Sequence, residues 1–413
     1  MKAIFLVDNI PAIEMFIPII RKLPVTWDIL AVNYYVWNKK GQEEIEQFLK
    51  KMSLKTIDVD RLHDIEKLLL QEKPNIVVLS RDTTSSAEED FVKYCRSMHI
   101  PTLLVPHGVW SPEERKIWAV GRASAWIKHV HELELQGIRL IKTGGFSCRY
   151  LISSGLFYLR RDLKPKPTFD GHGGCSKIAV FGNAIKELLI SEGVNPSSIN
   201  VTGNPKFDIL YSVKASGNNS KLRQTLGISN DEKVIVLLTD YLVEIGLWTV
   251  KQREQFIMAI VEAVNKLPMC KLVIKIHPLS ENEEDYLKIV KNDSIQPIIC
   301  RNVSLPELLN TCNLAITVMS TAGLEAMAMG KILMVVNLFN NLSPFNENGG
   351  AVVVRKKEGL LPALKVVVCE GLDNVMKEKA DKYVYQQAYI QDGKAASRIA
   401  NLIMEMAKNQ KSA

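Results

Sequence analysis

Short apolar runs alternate with amphipathic stretches along the first half of the chain. The runs are bounded by polar residues, glycine or proline, and the stretches between them have helical spacing of their apolar residues. We predict strands over residues 3–7, 28–32, 54–57, 76–79 and 102–105, and helices over 41–52, 60–71 and 87–98. Strands that alternate with helices in this way indicate a parallel sheet covered on both faces, as in a Rossmann-like domain.

The alternation resumes at residue 177 and continues almost to the end of the chain. Further strands are predicted over 177–181, 198–201, 234–238, 271–276, 297–300, 314–318, 332–336 and 351–354. Further helices are predicted over 250–267, 283–291, 304–311, 322–329, 372–387 and 395–408. Residues 213–220 are rich in Gly, Asn and Ser, so we interpret them as an interdomain linker.

The pattern therefore predicts an α/β fold with two Rossmann-like domains that face each other across a cleft. The first domain is predicted to span residues 1–212 and the second residues 221–390, with a C-terminal helix in 391–413. Ligands of such domains bind beyond the carboxyl ends of the strands, so the candidate chemistry is expected there.

Residues 109–166 interrupt the alternation with a segment that is both basic and aromatic. Its Lys and Arg residues far outnumber its acids, and several tryptophans are interspersed among them. Such a composition is typical of surfaces that rest on anionic lipid. A helical insertion that packs on its own domain is the alternative interpretation. No recognised nucleic-acid-binding module occurs, so nucleic acid is not an expected partner.

Composition narrows the class of protein only moderately. The 413 residues are 47% apolar and 23% charged, with a net charge of +7, which suits an anionic substrate or an anionic membrane surface. The seven cysteines show no paired spacing, so neither a zinc site nor a disulfide framework is indicated. No signal peptide and no apolar run long enough for a membrane span occur, so we expect a cytoplasmic protein that rests at most peripherally on the membrane.

The stretch over residues 313–336 carries the first candidate chemistry. A buried strand is followed by Ser320 and Thr321, then by a helix that ends at Gly330, and then by a second strand. Hydroxyls and backbone amides at such a helix start attract anions, and Glu325 lies one turn further on, within reach of a sugar hydroxyl. The stretch predicts half of a nucleotide-diphosphate site, and an ordinary α/β unit with a Ser-Thr cap is the alternative.

Three further strand ends carry candidate residues. Lys275 and His277 alternate with apolar neighbours and are predicted to meet a phosphate near the end of their strand. His107 lies between Pro106 and Gly108, where a rigidly held imidazole suits acid–base chemistry, although a structural hydrogen bond would explain it too. Asn204 and Lys206 lie in a turn after residue 201 that is predicted to face the cleft.

Four motifs in the second half resemble those of the GT-B superfamily of two-domain glycosyltransferases. Within it they are most similar to the branch shared by UDP-N-acetylglucosamine 2-epimerases, CDP-glycerol glycerophosphotransferases, and transferases of capsule or surface polysaccharides. The motifs are residues 202–208 (TGNPKFD), 275–278 (KIHP), 320–326 (STAGLEA) and 392–399 (DGKAASRI). The segment Pro106-His107-Gly108 also resembles the histidine-glycine loop of these proteins.

The resemblance implies a glycosyltransferase that moves a sugar from a nucleotide-activated donor to a surface polysaccharide or lipid-linked glycan. We expect no obligatory metal and no cofactor. Ser320 and Thr321 would donate to the diphosphate, and Glu325 would accept from the ribose. Lys275 and His277 would neutralise charge on the leaving group, and His107 would act as the base. We place Asn204 and Lys206 among the donor-binding residues.

Three alternatives stay open at this point. The protein could be a sugar-nucleotide 2-epimerase-like isomerase, a CDP-polyol phosphotransferase, or a non-catalytic protein that binds sugar nucleotides. We prefer the glycosyltransferase because we find no Asp and Glu pattern in the first half of the kind that a 2-epimerase would need, and no N-terminal helical extension like that of teichoic acid polymerases.

Overall fold

The computed structural model describes residues 1–7, 9–33, 49–50, 54–58, 63–82, 87–106, 170–217, 220–277, 281–291 and 296–410. These residues form two compact units. In its described part, the first unit contains residues up to 106, residues 170–208 and residues 387–410, and the second contains residues 209–386. The predicted helix over 41–52 and the basic aromatic segment over 109–166 fall largely or wholly outside the described residues.

The first unit is built on a seven-stranded parallel sheet with the order β3-β2-β1-β4-β5-β6-β7. Its strands are nearly continuous apolar runs, which is expected when helices cover both faces of a parallel sheet. They are β1 (Lys2–Val7), β2 (Asp28–Asn33), β3 (Lys55–Asp58), β4 (Ile76–Leu79), β5 (Thr102–Leu104), β6 (Lys177–Val180) and β7 (Ile199–Val201).

Helices of the first unit follow its strands in the Rossmann manner. The first begins where the Asn9 side chain accepts a hydrogen bond from Ala12 N, with Pro11 in the first turn where its missing N–H is harmless. The helices are α1 (Ile10–Ile20), α2 (His63–Glu72), α3 (Ala87–Ser97) and α4 (Asn183–Ser191).

The C-terminal helix, Ala395–Asn409, belongs to the first unit although it is the last element of the chain. Its apolar face, which includes Ile399 and Ile403, is buried in the core around β1 and β4. Full burial of an isoleucine side chain stabilises a fold by about 1.5–3 kcal/mol, so this helix is a substantial part of the first core.

The second unit is built on a six-stranded parallel sheet with the order β10-β9-β8-β11-β12-β13. Numbered within the unit, this order is 3-2-1-4-5-6, which is the Rossmann order. The strands are β8 (Lys233–Leu238), β9 (Cys270–Lys275), β10 (Ile298–Cys300), β11 (Leu314–Thr317), β12 (Ile332–Val336) and β13 (Val352–Val354). The order reverses between β8 and β11, so the crevice expected to bind ligand lies at their carboxyl ends.

Helices flank the second sheet and connect the two units. Pro205–Ser216 and Asn374–Ala388 carry the chain across the boundaries between units. In chain order the helices after α4 are α5 (Pro205–Ser216), α6 (Ser220–Thr225), α7 (Val250–Val264), α8 (Glu283–Val290), α9 (Leu305–Thr311), α10 (Ala322–Ala328), α11 (Lys357–Cys369), α12 (Asn374–Ala388) and α13 (Ala395–Asn409).

The predicted α/β class with two Rossmann-like parallel sheets is confirmed. All thirteen predicted strands occur, and their ends differ from the prediction by one residue at most. One interpretation was wrong, because residues 205–216, read as a turn followed by a linker, form α5. Helices α6 and α11 were not predicted. No helix in the described part of the chain is long and apolar enough to cross a bilayer.

Candidate functional site

The carboxyl edge of the second sheet brings most of the predicted site residues into one unit. Thr239 and Asp240 follow β8, His277 follows β9, and Ser320 and Thr321 follow β11. Since β8 pairs with both β9 and β11, Thr239 and Asp240 occupy the middle of the edge. This is the point at which the strand order reverses and where ligands of Rossmann sheets bind.

The loop between β11 and α10 offers two hydroxyls and two backbone amides to a ligand. The amide of Ser320 donates to Thr317 Oγ1 at 3.2 Å, so it is already engaged. The amides of Thr321 and Ala322, and the hydroxyls of Ser320 and Thr321, have no hydrogen-bond partner among the described residues. The helix α10 has only seven residues, so its dipole alone does not define an anion site.

Asp240 fixes this loop from the neighbouring strand. Its Oδ2 lies 3.2 Å from Thr317 Oγ1, Val318 N and Met319 N. Part of the residue is open to solvent, but burial of its surroundings raises the pKa of its carboxyl to about 7 against an ordinary value of 3.8. Asp240 was not among the predicted site residues, although it lies two positions beyond the apolar run of β8.

A second carboxylate, Glu281, fixes the chain on the other side of β8. The Glu281 side chain is only 2% exposed and accepts hydrogen bonds from the Thr239 hydroxyl, from Tyr286 OH and from His277 N, the last at 2.7 Å. A buried carboxylate needs such donors because it would otherwise be poorly solvated. Glu281 therefore holds the backbone of His277 against the end of β8, a role that the sequence pattern did not reveal.

The imidazole of His277 is packed against Tyr241, with ring centroids 4.5 Å apart. Its Nδ1 is buried and has no hydrogen-bond partner within the described residues. Burial, and after it the positive charge of Lys275, lowers the pKa of His277 below its ordinary value of 6.5. At neutral pH the ring is therefore neutral, able to donate or accept a proton but carrying little charge of its own.

Lys275 is the last residue of β9, and Glu325 lies in α10. The Lys275 ammonium donates to the carbonyl of Arg301 and lies 3.4 Å from that of Ile276, while burial lowers its pKa. Its charge lies near the edge of the sheet, but its donors are directed to backbone. Glu325 is partly exposed one turn into α10, and its role in ribose binding stays a proposal.

Asn204 and Lys206 lie in the first unit, at the start of α5. Asn204 is buried and its Oδ1 accepts a hydrogen bond from Lys206 N, which is a helix-starting contact. The Lys206 ammonium lies 3.5 Å from the carboxylate of Glu14. His107 lies outside the described residues, so its predicted role as a base stays a proposal.

Two of the four motifs meet each other within the first unit. The Asp208 carboxylate accepts hydrogen bonds from Ala395 N and Ala396 N, the first amides of α13, at 2.9 and 2.8 Å. Arg398 donates to the carbonyl of Thr202 at 2.7 Å and pairs with Asp392. Residues 202–208 and 392–399 thus fasten α13 to the end of β7, which gives both motifs a structural role.

The first unit also contains a pair of carboxyls that was not predicted from sequence. Asp82, beyond the end of β4, accepts hydrogen bonds from Gly171 N and Gly173 N, and its own amide donates to Asp170. A side chain at Gly173 would collide with the Asp82 backbone. Burial, and secondarily the nearby Asp82, raises the pKa of Asp170 to about 8. Burial also raises the pKa of Asp82.

No group of three or more His, Cys, Asp or Glu side chains in the described part of the chain is arranged to hold a metal ion. The expectation of a reaction without metal or cofactor stays a prediction.

Two parallel sheets of Rossmann order correspond to the GT-B type of two-domain fold. A family model described as UDP-N-acetylglucosamine 2-epimerase matches residues 177–404, which is over half of the chain and includes every element of the second unit's site. The chain belongs to the UDP-N-acetylglucosamine 2-epimerase family.

Solved structures agree with this fold. A UDP-GlcNAc 2-epimerase from Neisseria meningitidis, bound to UDP-GlcNAc, has a TM-score of 0.63 at 14% identity, over 98% of this chain and 100% of that one. One from Methanocaldococcus jannaschii has a TM-score of 0.61 at 17% identity, over 98% and 100%. The Anabaena protein HepE, in complex with UDP-glucose, has a TM-score of 0.52 at 13% identity, over 99% and 100%. No curated protein sequence matches the chain.

The comparisons support the epimerase alternative better than the glycosyltransferase that we preferred from sequence. That preference depended on finding no Asp and Glu pattern in the first half, where the structure shows a pair of aspartates, Asp82 and Asp170, that the prediction did not include. Asp82 was visible as part of a polar loop after β4. Its partner Asp170 lies 88 residues further on, and no spacing in the sequence connects the two.

Proposed function

We propose that the protein is an epimerase that inverts carbon 2 of a UDP-activated amino sugar. The observation that carries this proposal is the family match over residues 177–404, which covers the whole candidate site of the second unit. Solved relatives of this fold were obtained with UDP-GlcNAc or with UDP-glucose, which supports UDP as the nucleotide.

The second unit binds the UDP part of the substrate in this proposal. Ser320 and Thr321 donate their hydroxyls to the diphosphate, and the amides of Thr321 and Ala322 add two donors whose direction is fixed by the backbone. Glu325 accepts from the ribose. Lys275, whose own donors are turned to backbone carbonyls, contributes positive potential without direct contact.

His277, the Asp82–Asp170 pair and His107 are the candidate groups for proton transfer. Inversion at a carbon that carries hydrogen requires a proton to leave one face and another to arrive on the other, so the enzyme needs groups that titrate near neutrality. Neutral His277 is one candidate. The Asp82–Asp170 pair, in which burial raises the pKa of both carboxyls, is the second. His107 is the third, on the evidence of its sequence context alone.

A glycosyltransferase is the second candidate function, because the Anabaena relative of the same fold was obtained with UDP-glucose and also with UDP and glucose. That function needs an acceptor, a surface polysaccharide or lipid-linked glycan, that the epimerase does not need. In that case the basic aromatic segment over 109–166 would contact the anionic membrane surface at which such an acceptor lies.

The two functions are separated by incubating the protein with UDP-GlcNAc in D2O and following the reaction by proton NMR. An epimerase produces a second set of anomeric signals and introduces deuterium at carbon 2, with no acceptor and no accumulation of UDP. A glycosyltransferase releases UDP only when an acceptor glycan is added. The epimerase proposal is contradicted if UDP-GlcNAc stays unchanged at stoichiometric enzyme concentration. In a separate incubation, turnover of CDP-glycerol would identify a polyol phosphotransferase.

Variants assign the reaction to the residues proposed here. The substitutions Ser320→Ala and Thr321→Val together should raise KM for UDP-GlcNAc, whereas Asp82→Asn should lower kcat with little change in KM. Ser191→Ala removes an exposed hydroxyl on α4 and is the matched control, because that hydroxyl bonds only to its own helix. Equal effects of the control and of the site variants would remove the site from the reaction.

A further inference from the structure

Asp240 is the residue best placed to control the shape of the proposed phosphate-binding loop. It follows β8 and not β11, so it holds the loop from the end of a neighbouring strand rather than from within. Its Oδ2 accepts from two consecutive loop amides, Val318 N and Met319 N, each at 3.2 Å. A single oxygen that accepts from two adjacent amides forces both N–H bonds to point the same way, toward β8.

Thr317 extends this control to Ser320. The Thr317 side chain is fully buried, and its hydroxyl lies 3.2 Å from Asp240 Oδ2 and 3.1 Å from the carbonyl of Leu238. The same hydroxyl accepts the hydrogen bond of Ser320 N at 3.2 Å. The amides of residues 318, 319 and 320 are therefore all turned inward, directly or through Thr317, to the end of β8.

The consequence is a division of the amides in one loop. Three consecutive amides are directed into the protein, and the next two, those of Thr321 and Ala322, have no partner within the described residues. Ser343 Oγ donates to the carbonyl of Val318 at 2.7 Å, so the loop is held from its other side as well. Such a preorganised set of donors binds an anion without the cost of ordering the loop first.

We infer that Asp240 is a positioning residue for nucleotide binding, which presents the donors of residues 320–322 to the diphosphate without touching it. This inference depends on the proposed binding of UDP by the second unit. A carboxylate in direct contact with a diphosphate would repel it, whereas one that lies behind the loop and accepts its inward amides aligns the outward donors.

The inference is tested by calorimetry of UDP binding to the full chain and to three variants. Asp240→Asn keeps an acceptor oxygen but removes the charge, and Asp240→Ala removes both. Asp231→Asn makes the same charge change at an exposed position before the amino end of β8 and is the control. We expect about tenfold weaker binding for Asp240→Asn, a larger loss for Asp240→Ala, and unchanged binding for Asp231→Asn.

Uridine, which lacks the diphosphate, separates a positioning role from general damage to the unit. Its binding, measured by ligand-observed NMR, should be the same for the wild type and Asp240→Asn. An equal loss of uridine and UDP binding overturns the positioning role, because the whole site would then be disturbed. Wild-type binding of UDP with no effect of either Asp240 substitution overturns this inference alone. Absence of UDP binding to the wild type overturns the proposed function and the inference together.

Discussion

The position of Asp240 carries a cost in stability that can be measured as a function of pH. Burial raises the pKa of its carboxyl from 3.8 to about 7 in the folded protein, so the folded protein binds a proton there that the unfolded chain releases. The free energy of unfolding therefore falls as pH rises between 3.8 and about 7, and the loss is complete above that range. Asp240→Asn cannot titrate and lacks this loss.

The magnitude follows from the two pKa values. A rise from 3.8 to about 7 corresponds to roughly 4 kcal/mol when fully expressed. Because part of Asp240 is open to solvent, water screens some of this cost, and we expect roughly 2–3 kcal/mol. Relative to the wild type, Asp240→Asn should therefore gain about that much stability between pH 4 and pH 8.

The assay is urea unfolding of both proteins across this pH range, monitored by far-UV circular dichroism and tryptophan fluorescence. Asp170, whose pKa burial raises to about 8, is present in both proteins and cancels in the difference. Asp231→Asn, at an exposed position, is the control for a change of one charge and should show no such trend. A difference between Asp240→Asn and the wild type that stays constant with pH would refute the reasoning.

Three further predictions concern the fold and His277. Asp208→Ala removes the acceptor of the first two amides of α13 and should lower the free energy of unfolding by about 1–2 kcal/mol, measured with urea. Gly350→Ala should lower the free energy of unfolding by more than about 3 kcal/mol, because φ is +77° and a Cβ would lie 2.4 Å from the backbone of α12. Gly371→Ala, at φ +79° with open space around it, should lower it by only about 1 kcal/mol. Thermal unfolding measures both. Lys275→Met should raise the pKa of His277 in an NMR titration, because one cause of its depression is removed.

Each of these predictions has its own control. Asp381→Ala removes an exposed carboxylate from α12 and should leave stability nearly unchanged. Equal losses at Gly350 and Gly371 would show that backbone conformation alone, and not the close approach to α12, sets the requirement for glycine. Lys291→Met, after α8, removes an exposed charge and should not move the pKa of His277. A pKa of His277 above 6.5 in the wild type would contradict the burial argument.

The strands could be predicted from sequence because both faces of a parallel sheet are covered. Buried strands such as β11 and β12 then read as uninterrupted apolar runs, and this signal needs no knowledge of distant residues. Helix α11 was missed because Pro362 lies inside it, where proline removes a hydrogen bond and normally ends a helix. Pro205 was read as a turn, although proline in the first turn of a helix is also a start signal.

The candidate site was predicted only in the part that follows strand ends. Ser320, Thr321 and His277 could be found because each lies within three residues of the end of a predicted strand. The direction of the Lys275 side chain could not be predicted, since its hydrogen bond to the Arg301 carbonyl depends on how β10 packs beside β9. Asp240 and the loop amides that it holds are 78 and 79 residues apart, so only the folded sheet brings them together.

The central claim is that the loop over residues 318–322 of the second unit holds the diphosphate of a UDP-sugar. Residue-resolved hydrogen exchange, with and without UDP, tests it most directly. The account predicts that the amides of Thr321 and Ala322 exchange rapidly in the free protein and become protected when UDP binds, while those of Val318 and Met319 are protected in both states. Binding of UDP that protects amides elsewhere and leaves Thr321 and Ala322 unprotected would contradict the account.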